Sequence, residues 1–155
     1  MSSDTSGRAG NGGASTPSEA EQRARDVQGV ADKTVATVLG EITWLMSQSP
    51  VHKQFLVGDL EWLVMPPILL RQFRIFYHEG KPAAAVLYAF VSDEVERRIE
   101  AGAPSMRPND WKSGERAWIV QVIAPFGQAE AFAKETCETV LKGREVKMQM
   151  HGARK

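Results

Sequence analysis

Val27, Ala31, Thr34, Val38, Ile42 and Leu45 follow at three- and four-residue steps, which predicts a helix with one apolar face. Pro17 followed by Ser18-Glu19-Ala20-Glu21 reads as a capping box at its start. Gly29 and Gly40 each weaken such a helix by about 1 kcal/mol relative to Ala, so its well-packed part is expected over Val35 to Met46. Ser49-Pro50-Val51-His52 predicts a fresh helix start, with Ser49 as N-cap, Pro50 at the first helical position and His52 at the third. A short helix from Asp59 to about Val64 turns Leu60, Leu63 and Val64 inward. It is expected to end before Met65-Pro66-Pro67, because a residue ahead of proline avoids the helical region.

From Arg71 the period becomes two: Phe73, Ile75 and Tyr77 alternate with Gln72, Arg74 and Phe76. His78 to Pro82 supplies a turn, and Ala83 to Val91 returns as the second strand of a hairpin. Ser92 caps a helix through Glu100 that Gly102 stops, and Ala103 to Gly114 is expected as a long loop of the kind that often covers a site. Trp118 to Ala124 reads as a strand buried on both faces, ended by Pro125 and Gly127. A helix from about Gln128 to Leu141, stopped by Gly143, and an edge strand over Glu145 to Met150 complete the order. The prediction is an α+β fold, a mixed and mainly antiparallel sheet flanked by helices. Residues 1–17, rich in Gly, Ser, Thr and Ala, read as a disordered tail, 18–150 as one domain, and 151–155 as a C-terminal tail.

A chain of 155 residues with 43% hydrophobic residues can fill one core. Nineteen basic residues balance nineteen acidic ones, so bulk charge points to neither nucleic acid nor an anionic membrane, and a charged partner must be met by a local patch. The lone Cys137 excludes an internal disulfide, offers no metal cluster, and is expected on or under a helix. The longest apolar runs are broken by Pro66 and Pro67 and fall short of a membrane span, and the start lacks the pattern of a signal peptide. A cytoplasmic protein is expected.

Two polar residues in apolar settings draw attention. His52 at a helix start feels the positive end of the helix, which favours the neutral ring, a proton acceptor. From position alone, a capping role is the more common reading of such a histidine. Gln121 lies inside the buried strand, where it is either a satisfied core amide or part of a site.

Ile-Thr-Trp-Leu-Met-Ser-Gln-Ser-Pro-Val-His at 42–52, paired with Trp-Lys-Ser-Gly-Glu-Arg-Ala-Trp-Ile-Val-Gln-Val-Ile-Ala-Pro-Phe-Gly at 111–127, resembles the toxin-activating lysine acyltransferases that fatty-acylate RTX protoxins. Val64-Met65-Pro66-Pro67-Ile68 and the hairpin look like that family too, and the similarity runs from about Leu39 to Gly143. The resemblance implies a fold like that of the GNAT acetyltransferases and a homodimer. It also implies transfer of a fatty acyl chain from acyl carrier protein to the ε-amine of an internal protoxin lysine. It places the family's essential histidine at His52 and the serine of the same element at Ser49. At the family's catalytic aspartate this chain has Gln121.

That departure bears on the chemistry. A lysine amine and an imidazole differ by about four pKa units, or roughly 5 kcal/mol, which the site must narrow. Gln121 can turn its amide oxygen to a ring N–H and orient His52, but it adds no negative charge. Three outcomes stay open: weaker activity, a role taken over by Asp110 or Glu115, or a relative that binds acyl carrier protein or a partner protein without catalysis. The Gln/Arg-x-x-Gly-x-Gly/Ala loop that holds an acyl-CoA pyrophosphate is missing, so a protein-borne donor and no bound cofactor are expected. Candidate contacts for an acidic carrier are Arg97, Arg98, Arg107, Lys112 and Arg116, or Lys142, Arg144 and Lys147. Beside the best-known relatives the chain stops early, so terminal strands are expected to be absent or supplied by a dimer partner. For Tyr88 and Trp118, core packing is preferred over lining an acyl groove.

Overall fold

In the computed structural model, residues 33–102 and 105–149 are described. The tails at 1–17 and 151–155 and the predicted helix start at Ser18 lie outside them, and the described residues from Thr34 onward belong to one compact unit.

Helix α1 runs over Val35–Gln48, capped by Thr34, whose hydroxyl accepts from the Thr37 N–H. Val38, Ile42, Leu45 and Met46 form its buried stripe, as the spacing predicts. The helix expected from Ser49 is only a 3-10 turn, His52–Gln54, so Ser49 serves as the C-cap of α1 in extended backbone. Short helices α2, Leu60–Leu63, and α3, Met65–Leu70, follow. The second corrects the expectation that Pro66 and Pro67 end helical structure. They sit in the first turn of α3, where no backbone N–H has an intrahelical partner to lose.

Strands β1, Phe73–His78, and β2, Lys81–Val91, form the predicted hairpin with a tighter turn than expected. Glu79 and Gly80 take positive φ, and Pro82 lies within β2 opposite Tyr77. Helix α4, Asp93–Glu100, starts at Ser92, whose hydroxyl accepts from the Val95 N–H. The segment expected as a covering loop contains a 3-10 turn at Pro108–Trp111 and is tied to the core. Trp111 is fully buried and its indole N–H donates to the Trp62 carbonyl, while Gln72 donates to the carbonyls of Trp111 and Tyr88. Strand β3, Arg116–Ile123, precedes helix α5, Ala129–Glu138, and the short strand β4, Val146–Met148.

The sheet order is β1-β2-β3-β4, antiparallel except for the parallel β3–β4 pair that α5 connects. Helices cover both faces. One face packs α1, α3 and α4 on Ala85, Leu87, Ala89, Val91, Trp118, Val120 and Ile123. The other packs Ala133 of α5 and Leu141 on Phe76, Ala84, Val86, Tyr88, Ala117 and Ile119. Burial on both faces explains why β2 reads as a nearly continuous apolar run.

One irregularity positions everything that follows. Opposite Leu87 and Tyr88, β3 presents Gln121 and Ile119, so Val120 is an extra residue, a β-bulge. Strict alternation would put Gln121 on the α5 face with Ala117 and Ile119. The bulge reverses the parity, so that Ile123 joins Trp118 and Val120 on the face covered by α1. Among the described residues, no helix is long and apolar enough to cross a membrane.

Candidate functional site

Gln121 is 2% exposed, and on the α1 side of the sheet it meets His52, which is 5% exposed. Its amide oxygen lies 3.0 Å from His52 Nε2. On the other side of the ring, Ser49 Oγ lies 2.7 Å from His52 Nδ1. The Ser49 hydroxyl also accepts from the His52 backbone N–H at 3.3 Å, a local bond that the tight 3-10 turn permits. Phe55 stacks beside the imidazole at 6.2 Å between centroids, and Trp62 meets Phe55 edge-on. Trp62 is fixed in turn by its indole N–H, which donates to Asp59 at 3.1 Å.

With the Gln121 amide oxygen turned to Nε2, the line Ser49–His52–Gln121 fits one tautomer. An amide oxygen only accepts, so Nε2 carries the proton and donates it to Gln121. Nδ1 is then the basic nitrogen, and the Ser49 hydroxyl donates to it. The arrangement has the parts of a nucleophile, a base and a group that orients the base, with a neutral amide in the third place. The structure thus brings together His52, Gln121 and the Ser49 singled out with them.

The carboxylates considered as substitutes are committed elsewhere. Asp110 is 7% exposed and holds Arg98 at 2.8 Å with one oxygen and the Arg107 N–H at 2.8 Å with the other. Glu115 is exposed on the surface. Several basic residues expected to face a carrier protein make internal pairs instead. Arg116 binds Asp93 and Glu96, Lys147 binds Glu96 and Glu100, and the Arg144 guanidinium lies 4.7 Å above the Phe90 ring. Glu96 receives the Trp118 indole N–H at 2.8 Å, and this bond, then the cations, hold its carboxyl below the usual range despite burial. Trp118 and Tyr88 are core residues, each 5% exposed. Burial raises the Tyr88 phenol, with Arg74 opposing, and burial followed by the Glu138 charge raises the half-buried Cys137 thiol on α5. A raised thiol is a poor nucleophile at neutral pH.

Sequence reasoning missed the bulge at Val120. A strand apolar at nearly every position, such as Trp118 to Ile123, hides the face of each residue, because both faces are buried. It also read Ser49 as a helix cap, where the structure makes it a hydrogen-bond partner of the imidazole.

The chain is also similar to known proteins. The sequence profile of HlyC, the RTX toxin acyltransferase family, matches residues 31–155. The leukotoxin-activating lysine-acyltransferase LktC serotype A1 of Mannheimia haemolytica is 34% identical over 101 residues, 65% of this chain and 60% of LktC. The RTX-II toxin-activating lysine-acyltransferase ApxIIC of Actinobacillus pleuropneumoniae is 36% identical over 97 residues, 63% of this chain and 61% of ApxIIC. The lysine-acyltransferase RtxC of Vibrio cholerae is 34% identical over 96 residues, 60% of this chain and 61% of RtxC. The aligned part of this chain therefore spans about three fifths of the length of these relatives.

Proposed function

Since the chain belongs to the RTX toxin acyltransferase family, we propose that it moves a fatty acyl group from acyl carrier protein to the ε-amine of an internal lysine of an RTX-type protoxin, activating it. The observation that carries this reading is the buried line from Ser49 through His52 to Gln121, which joins segments 69 residues apart. In this reading His52 is the proton acceptor, working through Nδ1, and Gln121 is its positioning partner. As the amine attacks the thioester, the ring becomes imidazolium, with both N–H groups donating, to Ser49 Oγ and to the Gln121 amide oxygen. A low-dielectric setting strengthens both bonds. The names of the relatives, toxin- and leukotoxin-activating lysine-acyltransferases, support the substrate class.

The GNAT-like fold belongs to the same proposal, supported by the antiparallel β1-β2-β3 strands and the parallel crossover through α5 to β4. So do a cytoplasmic setting and a homodimer formed at a sheet edge, for which β1 and β4 are the available strands.

A specific observation favours a second reading. Gln121 is neutral, and Asp110 is committed to Arg98, so an imidazolium at position 52 gains no carboxylate from either. The alternative is a weakened or silent relative that binds acyl carrier protein or a partner protein.

Mass spectrometry of an RTX-type acceptor with Gly-Gly-x-Gly-x-Asp repeats, incubated with this protein and long-chain acyl carrier protein, separates the two. The transfer reading predicts a fatty acyl mass on lysine that is lost with His52→Ala and is absent when acyl-CoA replaces the carrier. No gain with the wild type, beside a gain with Gln121→Asp, supports the silent relative.

A further inference from the structure

We propose that a groove along the exposed flank of α1 holds the fatty chain of the donor, with Gly40 setting the longest chain that fits. The inference rests on the acyl-transfer reading and assigns the part of that site that takes the chain. Thr37, Glu41, Trp44 and Gln48 follow at three- and four-residue steps, so they share one flank of α1 beside its buried stripe. The start of β2 faces this flank. Thr37, Gly40, Glu41, Trp44, Lys81 and Pro82 line a groove of about 400 Å³ there, large enough for a small-molecule ligand. Trp44 is 42% exposed and Phe126, just after β3, is 63% exposed, with their rings 6.0 Å apart. A paired, exposed Trp and Phe beside a groove form a patch that a ligand covers rather than a part of the core.

Gly40 lies inside α1, where glycine costs helix stability, yet a Cβ added there meets nothing within 4 Å. Packing does not require a glycine at this position, whereas an unfilled groove floor does. The polar groups of the lining are already engaged, the Thr37 hydroxyl with Thr34 and the Glu41 carboxylate with the Tyr77 phenol. Pro82 has no N–H to offer, and the backbone groups inside α1 bond to one another, so a peptide main chain finds few partners here. An alkyl chain needs none. The groove also leads toward the site. Trp44 is five residues before Ser49, about 7.5 Å along the helix axis, and Gly40 is nine, about 13.5 Å. An extended chain of single bonds advances about 1.2 Å per bond, so a thioester carbonyl at the Ser49–His52 contact brings about the twelfth carbon alongside Gly40. Longer chains must pass over Gly40, and a side chain there shortens the groove.

The test delivers octanoyl, decanoyl, tetradecanoyl and hexadecanoyl chains on acyl carrier protein to the full chain and measures kcat/KM for lysine acylation of the protoxin acceptor. With Gly40→Leu, shown by thermal unfolding to be folded, tetradecanoyl and hexadecanoyl transfer is expected to fall at least thirtyfold while octanoyl transfer stays within threefold of wild type. Ala36→Leu, an addition at an exposed α1 position that does not line the groove, is expected to leave the ratio between chain lengths unchanged. Independently, a tetradecanoyl chain with a photoreactive diazirine near its end, carried on acyl carrier protein, is irradiated with the wild type and mapped by peptide mass. Its cross-links are expected within residues 37–44 or at Lys81 and Pro82. Equal effects on all chain lengths in folded Gly40→Leu, or cross-links confined elsewhere, overturn the inference and leave the transfer reading standing. Cross-links in the groove with no lysine acylated overturn the transfer reading and keep the chain site.

Discussion

Gln121→Glu changes one charge and almost no volume at the atom that faces His52. The Gln121 amide oxygen is 3.0 Å from Nε2, so a carboxylate oxygen in its place meets the imidazolium directly. At an effective dielectric of about 20, two unit charges about 4 Å apart interact by about 4 kcal/mol. Residue 121 is 2% exposed, so the carboxylate loses part of that in desolvation. Opposite charges at this range shift titration by about one to three units, and after the burial cost about one to two is expected, or roughly 1.4–2.8 kcal/mol. The sign follows from the role. A base must be neutral to accept a proton, so the rate falls as pH drops through the imidazole's titration, and a carboxylate beside it moves that fall to higher pH. Above the new limb, stabilisation of the imidazolium in the transition state raises the plateau by about tenfold or more. The assay is the pH–rate profile of acyl transfer for wild type, Gln121→Glu and Gln121→Leu. An acid limb that stays in place in folded Gln121→Glu would refute the claim that residue 121 acts on the proton-accepting ring.

Gly114→Ala should destabilise the fold by about 1–3 kcal/mol in chemical denaturation, because an added Cβ would lie 2.5 Å from the Val91 carbonyl oxygen and 2.7 Å from Ser92 backbone atoms. Gly40→Ala, where the added atom meets nothing within 4 Å, should instead stabilise α1 by about 1 kcal/mol. Glu96 contributes stability that is present above the ordinary carboxylate range and is lost as pH falls through its lowered folded value, so Trp118→Phe, which removes the largest cause of that lowering, should raise the midpoint of acid unfolding. Trp111→Ala should cost about 3–5 kcal/mol and lower the melting temperature sharply, since it empties a fully buried position under the loop that joins α4 to β3.

The sequence made the elements legible wherever one face is wet. The apolar stripe of α1 and the caps at Ser92 and Gly102 follow from single-faced burial and local capping chemistry. It was least informative where both faces are dry. From Ala117 to Ile123 every position of β3 is apolar except Gln121, so periodicity carried no facing information and the bulge at Val120 left no mark. The double proline misled for a different reason: it forbids a helix interior but suits a helix start, and only the packed position of α3 decides between them. The pairing of His52 with Gln121 came from the family resemblance. Ser49 was legible as a capping residue, but its bond to Nδ1 depends on the chain turning into a single 3-10 turn rather than a full helix.

The account turns on which imidazole nitrogen of His52 is basic. Nitrogen-15 NMR of histidine-labelled protein, with His52 assigned by its loss in His52→Ala, reads this directly. The expected spectrum at neutral pH has a protonated Nε2, coupled across its hydrogen bond to residue 121, and an unprotonated, hydrogen-bonded Nδ1 that shifts in Ser49→Ala. A ring protonated at Nδ1, with Nε2 bare, would contradict the account, because Gln121 would then be a donor and Ser49 would face no base.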